Sequence, residues 1–188
     1  MSLLGAILTG GRSTRMGIDK AGIEIAGVTL LDRVIGAVGE VTPHLVLLGG
    51  EREGHECWPD LTSIPGPLAG VATVLDRMGE DRALVVAVDN AFVSAETLAR
   101  LVAVESELPV VPVDEDGIRQ VTCAVYPRGI ASIAAEEAGA GGSIQTLLDR
   151  VSFLPVTPEI WREWGEDGRS WFSVDTPEDI TEGLARYS

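Results

Sequence analysis

The sequence predicts an α/β fold, a single domain built as a three-layer αβα sandwich around a mostly parallel sheet. Three observations carry that prediction. Short, almost purely apolar runs, such as residues 4–9 and 83–89, stop abruptly at glycine or a carboxylate, as strands buried on both faces do. Between these runs lie segments of about a dozen residues whose apolar positions fall at helical spacing. The two kinds of segment alternate along the chain, which implies right-handed βαβ units with helices covering both faces of the sheet. A chain of 188 residues is most simply one domain, large enough to bury a core without disulfide or metal staples.

In chain order, "LGAILT" (4–9) reads as the first strand. "TLLDRVIGAVGE" (29–40) places Leu30, Leu31, Val34, Ile35 and Val38 on one helical face. "HLVLLG" (44–49) is the next strand, and "PLAGVATVLDRM" (67–78) a helix with proline in its first turn. "ALVVAVD" (83–89) is a fully apolar strand ending on Asp89, and "SAETLARLVAVE" (94–105) a helix with Ser94 as its N-cap. Residues 108–113 and 118–126 read as two strands joined by the acidic turn "DEDG" (114–117), whose Asp-Gly suits positive φ angles. A helix over 142–151, a strand over 151–156 and a helix over 176–187 complete the order. Residues 137–143 and 164–170, rich in glycine and acid, read as mobile loops.

Composition narrows the partners. Twenty-nine acidic against fourteen basic residues give a formal charge of -15, which excludes the basic footprint that nucleic acid or an anionic membrane requires. The longest apolar runs fall far short of the roughly 20 residues needed to span a bilayer, and no targeting presequence opens the chain, so a cytoplasmic location is expected. Cys57 and Cys123 have no metal-ligand or disulfide spacing and read as inert thiols. The tryptophans at 161, 164 and 171 read as packing residues.

Against this acidic background, "LTGGRSTRMGIDK" (8–20) stands out. It leaves the first strand at the edge where open α/β sheets collect ligands. Gly10 and Gly11 allow a sharp turn and a close backbone approach to phosphate oxygens. Arg15 and Lys20 add countercharge, and Lys20 is the only lysine among fourteen basic residues. The loop is neither a Walker A sequence, which needs GxxxxGK followed by Ser or Thr, nor the GxGxxG dinucleotide fingerprint.

The loop resembles the LAGGxSxRMGxDK signature of the molybdenum cofactor guanylyltransferase family, within the Rossmann-like, GT-A-like nucleotidyltransferases. Three further stretches match in order: "GPLAGV" (66–71), a strand ending on Asp89 with Phe92 shortly after, and "VDTPEDI" (174–180). Together they span most of the chain. The resemblance implies transfer of GMP from GTP to the terminal phosphate of molybdopterin or its molybdenum-loaded form, with release of pyrophosphate. It assigns Leu8, Thr9, Gly10, Gly11 and Lys20 to the nucleotide, with Arg15 and Lys20 as catalytic countercharge. Asp89 would bind Mg²⁺ and contact the nucleotide, a role that suits a carboxylate at a strand end beside phosphates. Asp60, upstream of "GPLAG", would accept hydrogen bonds from the guanine N1–H and N2–H₂ edge, which cytosine does not offer.

The chain departs from the family pattern in three places. Ala91 replaces a proline after Asp89, Leu48 and Gly49 stand where an asparagine commonly contacts nucleotide, and Ser173 and Asp175 replace two asparagines. Asp175 is thereby either a second Mg²⁺ ligand or part of the cap of the last helix. The aspartate also keeps open a related enzyme that uses CTP or another nucleotide on a pterin, sugar or alcohol phosphate. A nucleotide-binding module without catalysis is the third reading. Transient contact with proteins of cofactor biosynthesis or with acceptor proteins is expected of the first.

Overall fold

The computed structural model describes residues 1–10 and 19–187. Seven strands form one sheet in which six run the same way and one is reversed. The first strand, β1 (Leu3–Leu8), lies inside the sheet, third from one edge. A short hairpin of β2 (Glu24–Ile25) and β3 (Val28–Thr29) leads into α1 (Leu30–Gly39), which crosses to β4 (Leu45–Leu48) and then β5 (Cys57–Trp58). The chain returns through α2 (Pro67–Arg77) to β6 (Arg82–Ala87) on the other side of β1. From there α3 (Ala95–Ala103), β7 (Val110–Pro112), β8 (Cys123–Pro127), α4 (Ala131–Gly139), α5 (Ile144–Arg150), β9 (Leu154–Val156), α6 (Pro158–Glu163) and α7 (Pro177–Tyr187) follow.

The sheet order is β5-β4-β1-β6-β8-β7-β9, with β8 antiparallel to both its neighbours and every other pairing parallel. The chain therefore winds outward from β1 in one direction and then in the other, which creates a switch point beside β1. Register brings Leu8 level with Leu48 and with Ala87, so the loops after β1, β4 and β6 leave from one edge.

The alternation of β1 divides the core between two faces. Leu4, Ala6 and Leu8 pack with α2, α4 and α5, whereas Ile7 packs with α1, α3 and Trp161 of α6. All six residues of β6 are buried, as a strand covered on both sides must be. Gly5 lets α1 sit close over β1, since a Cβ there would lie 2.7 Å from Val38 Cγ1. No helix among the described residues is long and apolar enough to cross a membrane.

The expected helices and long strands are found within a few residues of their expected ends, and Ser94 caps α3 by accepting from Thr97 N at 3.4 Å. The acidic turn forms with Gly117 at φ +79° and a bridge between Val113 and Arg119. Beyond it the second strand begins only at Cys123, because residues 120–122 bond instead to Pro112 and Ala87. Both cysteines are free, and burial pushes the Cys123 thiol well up.

Several elements escape the sequence pattern. Helix α4 is alanine-rich and buries only Ala134 and Ala138, so it lacks the stripe of large apolar side chains that marks a helix. Its last turn holds residues 137–139, which the sequence places in a mobile loop. The β2–β3 hairpin turns at Ala26 (φ 53°) and Gly27 (φ 80°), and alanine is an unusual residue for that conformation. Strand β5 and helix α6, of two and six residues, are too short to show a period.

Candidate active site

The first glycine segment is pinned before it leaves the sheet. Thr9 N and Gly10 N donate to the Leu48 carbonyl at 2.8 and 3.2 Å, and the buried Thr9 hydroxyl donates to the same oxygen at 2.8 Å. Gly10 and Gly49 then meet backbone to backbone. A Cβ on Gly10 would lie 3.2 Å from Gly49 Cα, and one on Gly49, at φ +102°, would overlap the Gly10 backbone. Glycine at 10 and 49 is thus a packing requirement of this close backbone approach. Gly11 and Arg15 lie outside the described residues.

Asp19 caps a short 3₁₀ turn, Lys20–Gly22, by accepting from Ala21 N at 3.2 Å. From this turn Lys20 Nζ donates to Asp89 Oδ2 at 3.1 Å and to Asp175 Oδ1 at 2.6 Å. Three residues separated by up to 155 positions thereby form one cluster. Partial burial works against the Lys20 charge. The hydrogen bond to Asp175 and the field of Asp89 outweigh it, and the ammonium is held above the usual lysine range.

Asp89 follows β6, where Val88 N donates to the Leu8 carbonyl at 3.0 Å. The turn after it forms without proline: Asn90 N bonds Ala87 O and Val93 N bonds Asn90 O, both at 3.0 Å. Buried Phe92 anchors this turn against Phe172 and Tyr187, with ring centroids 5.9 Å away in each case. Gly183 of α7 makes room for the ring, because a Cβ there would collide with it. The side-chain oxygen of Asn90 is buried without a hydrogen-bond partner among the described residues.

Asp175 is brought in by the chain before α7. Val174 N donates to the Asp89 carbonyl at 2.9 Å, which ties the two carboxylate segments together. The cap of α7 is made by its neighbours: Asp179 Oδ2 accepts from Asp175 N and Thr176 N at 2.8 and 2.7 Å, and Thr176 Oγ1 accepts from Asp179 N at 3.3 Å. Capping thus falls to Thr176 and Asp179, while the Asp175 carboxylate reaches Lys20.

Upstream, Glu166 organises a segment that the sequence places in a mobile loop. Its carboxylate is buried and accepts from Asp167 N, Gly168 N, Ser170 N, Thr97 Oγ1 and Ser170 Oγ. Ser94 N in turn donates to Ser170 Oγ at 3.0 Å, fastening the segment to α3. Trp161 and Trp171 pack edge to face at 5.3 Å in the core beside it, in keeping with their reading as packing residues.

Asp60 sits apart from the Lys20 cluster, on the loop between β5 and α2, on the β4–β5 side of β1. Its residue is exposed, yet desolvation of the carboxyl raises its pKa above the ordinary aspartate value. The loop that carries Asp60 continues into a cavity of about 310 Å³, which Gly66, Pro67 and Ala69 line on one side and Thr122, Ser143 and Gln145 on the other. Arg52 is the residue that sequence reasoning missed. It follows Gly49-Gly50 on the β4–β5 loop and its guanidinium pairs with Asp19 Oδ2 at 2.5 Å, bracing the turn that carries Lys20. A signal was present, since a glycine pair with an arginine two residues on follows β4, and a glycine pair with an arginine next to it follows β1.

Asp89 Oδ2 and Asp175 Oδ1 address the same ammonium, so the two carboxylates converge on one point. Hard oxygen donors so arranged suit a hard divalent cation that completes its shell with water or phosphate oxygens.

Residues 5–153 match the model of the MobA-like NTP transferase domain. A probable molybdenum cofactor guanylyltransferase from Pelotomaculum thermopropionicum is 34% identical, with 94% of this chain and 89% of the relative covered. Another from Natronomonas pharaonis is 32% identical, with 98% of each covered. The molybdopterin-guanine dinucleotide biosynthesis protein A of Archaeoglobus fulgidus superposes with a TM-score of 0.81 over 96% of both chains, at 22% identity. A 2-C-methyl-D-erythritol 4-phosphate cytidylyltransferase from Thermus thermophilus shares the fold at a TM-score of 0.69 and 17% identity, over 96% of this chain and 98% of its own. The chain belongs to the MobA-like NTP transferases, the family of the molybdenum cofactor guanylyltransferases, and is a nucleotidyltransferase.

Proposed function

We propose that the chain transfers GMP from GTP to the terminal phosphate of molybdopterin, or of its molybdenum-loaded form, releasing pyrophosphate. The observation that carries this reading is Lys20, at the end of the glycine loop, gathered with Asp89 and Asp175 beyond the ends of β1 and β6. The attacking group is a phosphate oxygen that is already anionic at neutral pH, so the site needs no general base. The obstacle is bringing two anions together, and the remedy is positioning with countercharge.

In this reading the loop that begins at Leu8, Thr9, Gly10 and Gly11 holds the triphosphate. Arg15 and Lys20 neutralise the leaving pyrophosphate. Asp89 and Asp175 hold Mg²⁺, which when bound polarises the reacting phosphate. Asp60 reads the guanine edge from the β4–β5 side.

Two measurements test the assignment. Thermal shifts with GTP, CTP and UTP in Mg²⁺ should rank GTP first, since preferential binding stabilises the fold. Pyrophosphate release should require GTP and molybdopterin together. Equal shifts for CTP and GTP would instead favour the cytidylyl reading that Asp175 keeps open.

A further inference from the structure

Arg33 stands on α1 between the two segments that meet at the Lys20–Asp89 contact. Its Nη2 donates to the Ile25 carbonyl of β2 at 3.3 Å. Its guanidinium carbon lies 5.8 Å from the centre of the Phe92 ring, within range of a cation–π contact. The half-buried side chain thus spans from the hairpin after Lys20 to the turn after Asp89.

Each arm leads to one partner of that contact. On the first, Ile23 N donates to the Lys20 carbonyl at 3.1 Å and Leu30 N to the Ile23 carbonyl at 2.8 Å. The Lys20 turn and the hairpin are therefore one piece, fastened to the start of α1. The hairpin turns through Ala26 at φ 53°, a conformation that costs alanine energy, and the Arg33 bond holds the carbonyl just before that turn. On the second arm, Phe92 anchors the turn that Asn90 and Val93 close directly after Asp89. The arms come together where Lys20 Nζ donates to Asp89 Oδ2 at 3.1 Å.

Packing alone does not call for a guanidinium at this position. Arg33 Nε is buried with no hydrogen-bond partner among the described residues, which costs stability. A methionine would lie against Phe92 without burying an N–H. What methionine lacks is a rigid planar group that holds a carbonyl and a ring face at once. We infer, on the reading of Lys20 and Asp89 as the phosphate-binding and metal-binding groups, that Arg33 is a positioning residue for nucleotidyl transfer. It sets the distance between the lysine turn and the aspartate turn, and it acts through Ile25 and Phe92.

Arg33→Met should lower kcat about tenfold or more, because displaced countercharge serves the transition state poorly, while KM for nucleotide stays within about twofold. Its melting temperature should stay near that of wild type, since loss of one carbonyl bond is offset by removal of the unpaired N–H. Arg33→Lys, which keeps a donor and a cation but not the planar fork, should fall between the two in kcat. Lys20 is the only lysine in the chain, so ¹³C at lysine Cε gives one signal in wild type and in Arg33→Met. That signal should move in Arg33→Met, and in the direction it moves in Asp89→Asn, as the ammonium loses its fixed distance to the carboxylate. Wild-type kcat in Arg33→Met would overturn the inference, as would activity lost only in proportion to unfolding, or a lysine signal that does not move. The lysine signal needs no substrate. If wild type transfers no GMP and the signal still shifts as described, the substrate assignment fails and the placement by Arg33 stands.

Discussion

Two carboxylate centres stand at opposite ends of the segment that runs from α6 to α7, and they are built on opposite principles. Glu166 is buried and accepts hydrogen bonds from three backbone N–H groups and two hydroxyls. Asp89 and Asp175 remain partly exposed and share the Lys20 ammonium. A carboxylate saturated by fixed donors has no capacity left for a ligand, and its contribution is structural. One paired with an ammonium on a flexible lysine stem can yield that partner to a phosphate. The two are also coupled in construction: Glu166 folds the segment, Ser170 fastens it to Ser94, and Val174 delivers Asp175 to Asp89. Openness of the partner set, more than acidity, separates the reacting centre from its support.

The largest expected effect lies in the open centre. Lys20→Ala should lower turnover about tenfold or more through lost charge stabilisation in the transition state, while the melting temperature changes little. Steady-state pyrophosphate release and calorimetry on the same preparation check both halves. A smaller and purely structural effect belongs to the support. Gly183→Ala forces a methyl into the Phe92 ring and should cost about 1–3 kcal/mol of stability, read by denaturant unfolding. If the Phe92 turn also aims Asp89, turnover at temperatures below unfolding should fall as well.

The smallest effect concerns pH. Asp60 carries a raised pKa, so on acidification it takes up its proton at a higher pH than an ordinary aspartate, whose value is about 3.9. Because the protonated form loses its acceptor pairing with guanine, GTP affinity should decline from that higher pH downward. Calorimetric titrations should show an acid limb in wild type that Asp60→Asn lacks. The limb should be small, since the residue is exposed.

What could be read in the sequence follows the same division. Periodic apolar stripes revealed α1, α2, α3 and α7, and uninterrupted apolar runs revealed β1 and β6, because burial writes itself into residue type. Lys20 and Asp89 could be found because each is unusual where it stands, a unique lysine and a carboxylate at the end of a buried strand. Their contact with Asp175 could not, since 155 residues separate Lys20 from it and only the sheet order closes the gap. Glu166 was hidden for a related reason. Its donors are mainly backbone groups of a glycine-rich stretch, which carry no sequence signature, and the stretch reads as a mobile loop until those bonds are seen. Arg52 likewise looks like one more surface arginine until β4 sets it against Asp19.

The most direct test makes the same change, carboxylate to amide, at both centres. Asp89→Asn should lower turnover about a hundredfold while leaving the melting temperature near that of wild type. Glu166→Gln, which turns an amide N–H₂ toward groups that are all donors, should cost about 1–3 kcal/mol of stability while the folded fraction keeps a turnover within a few-fold of wild type. The reverse pattern, with Asp89→Asn unfolding the protein and Glu166→Gln abolishing transfer in a fully folded sample, would contradict the account.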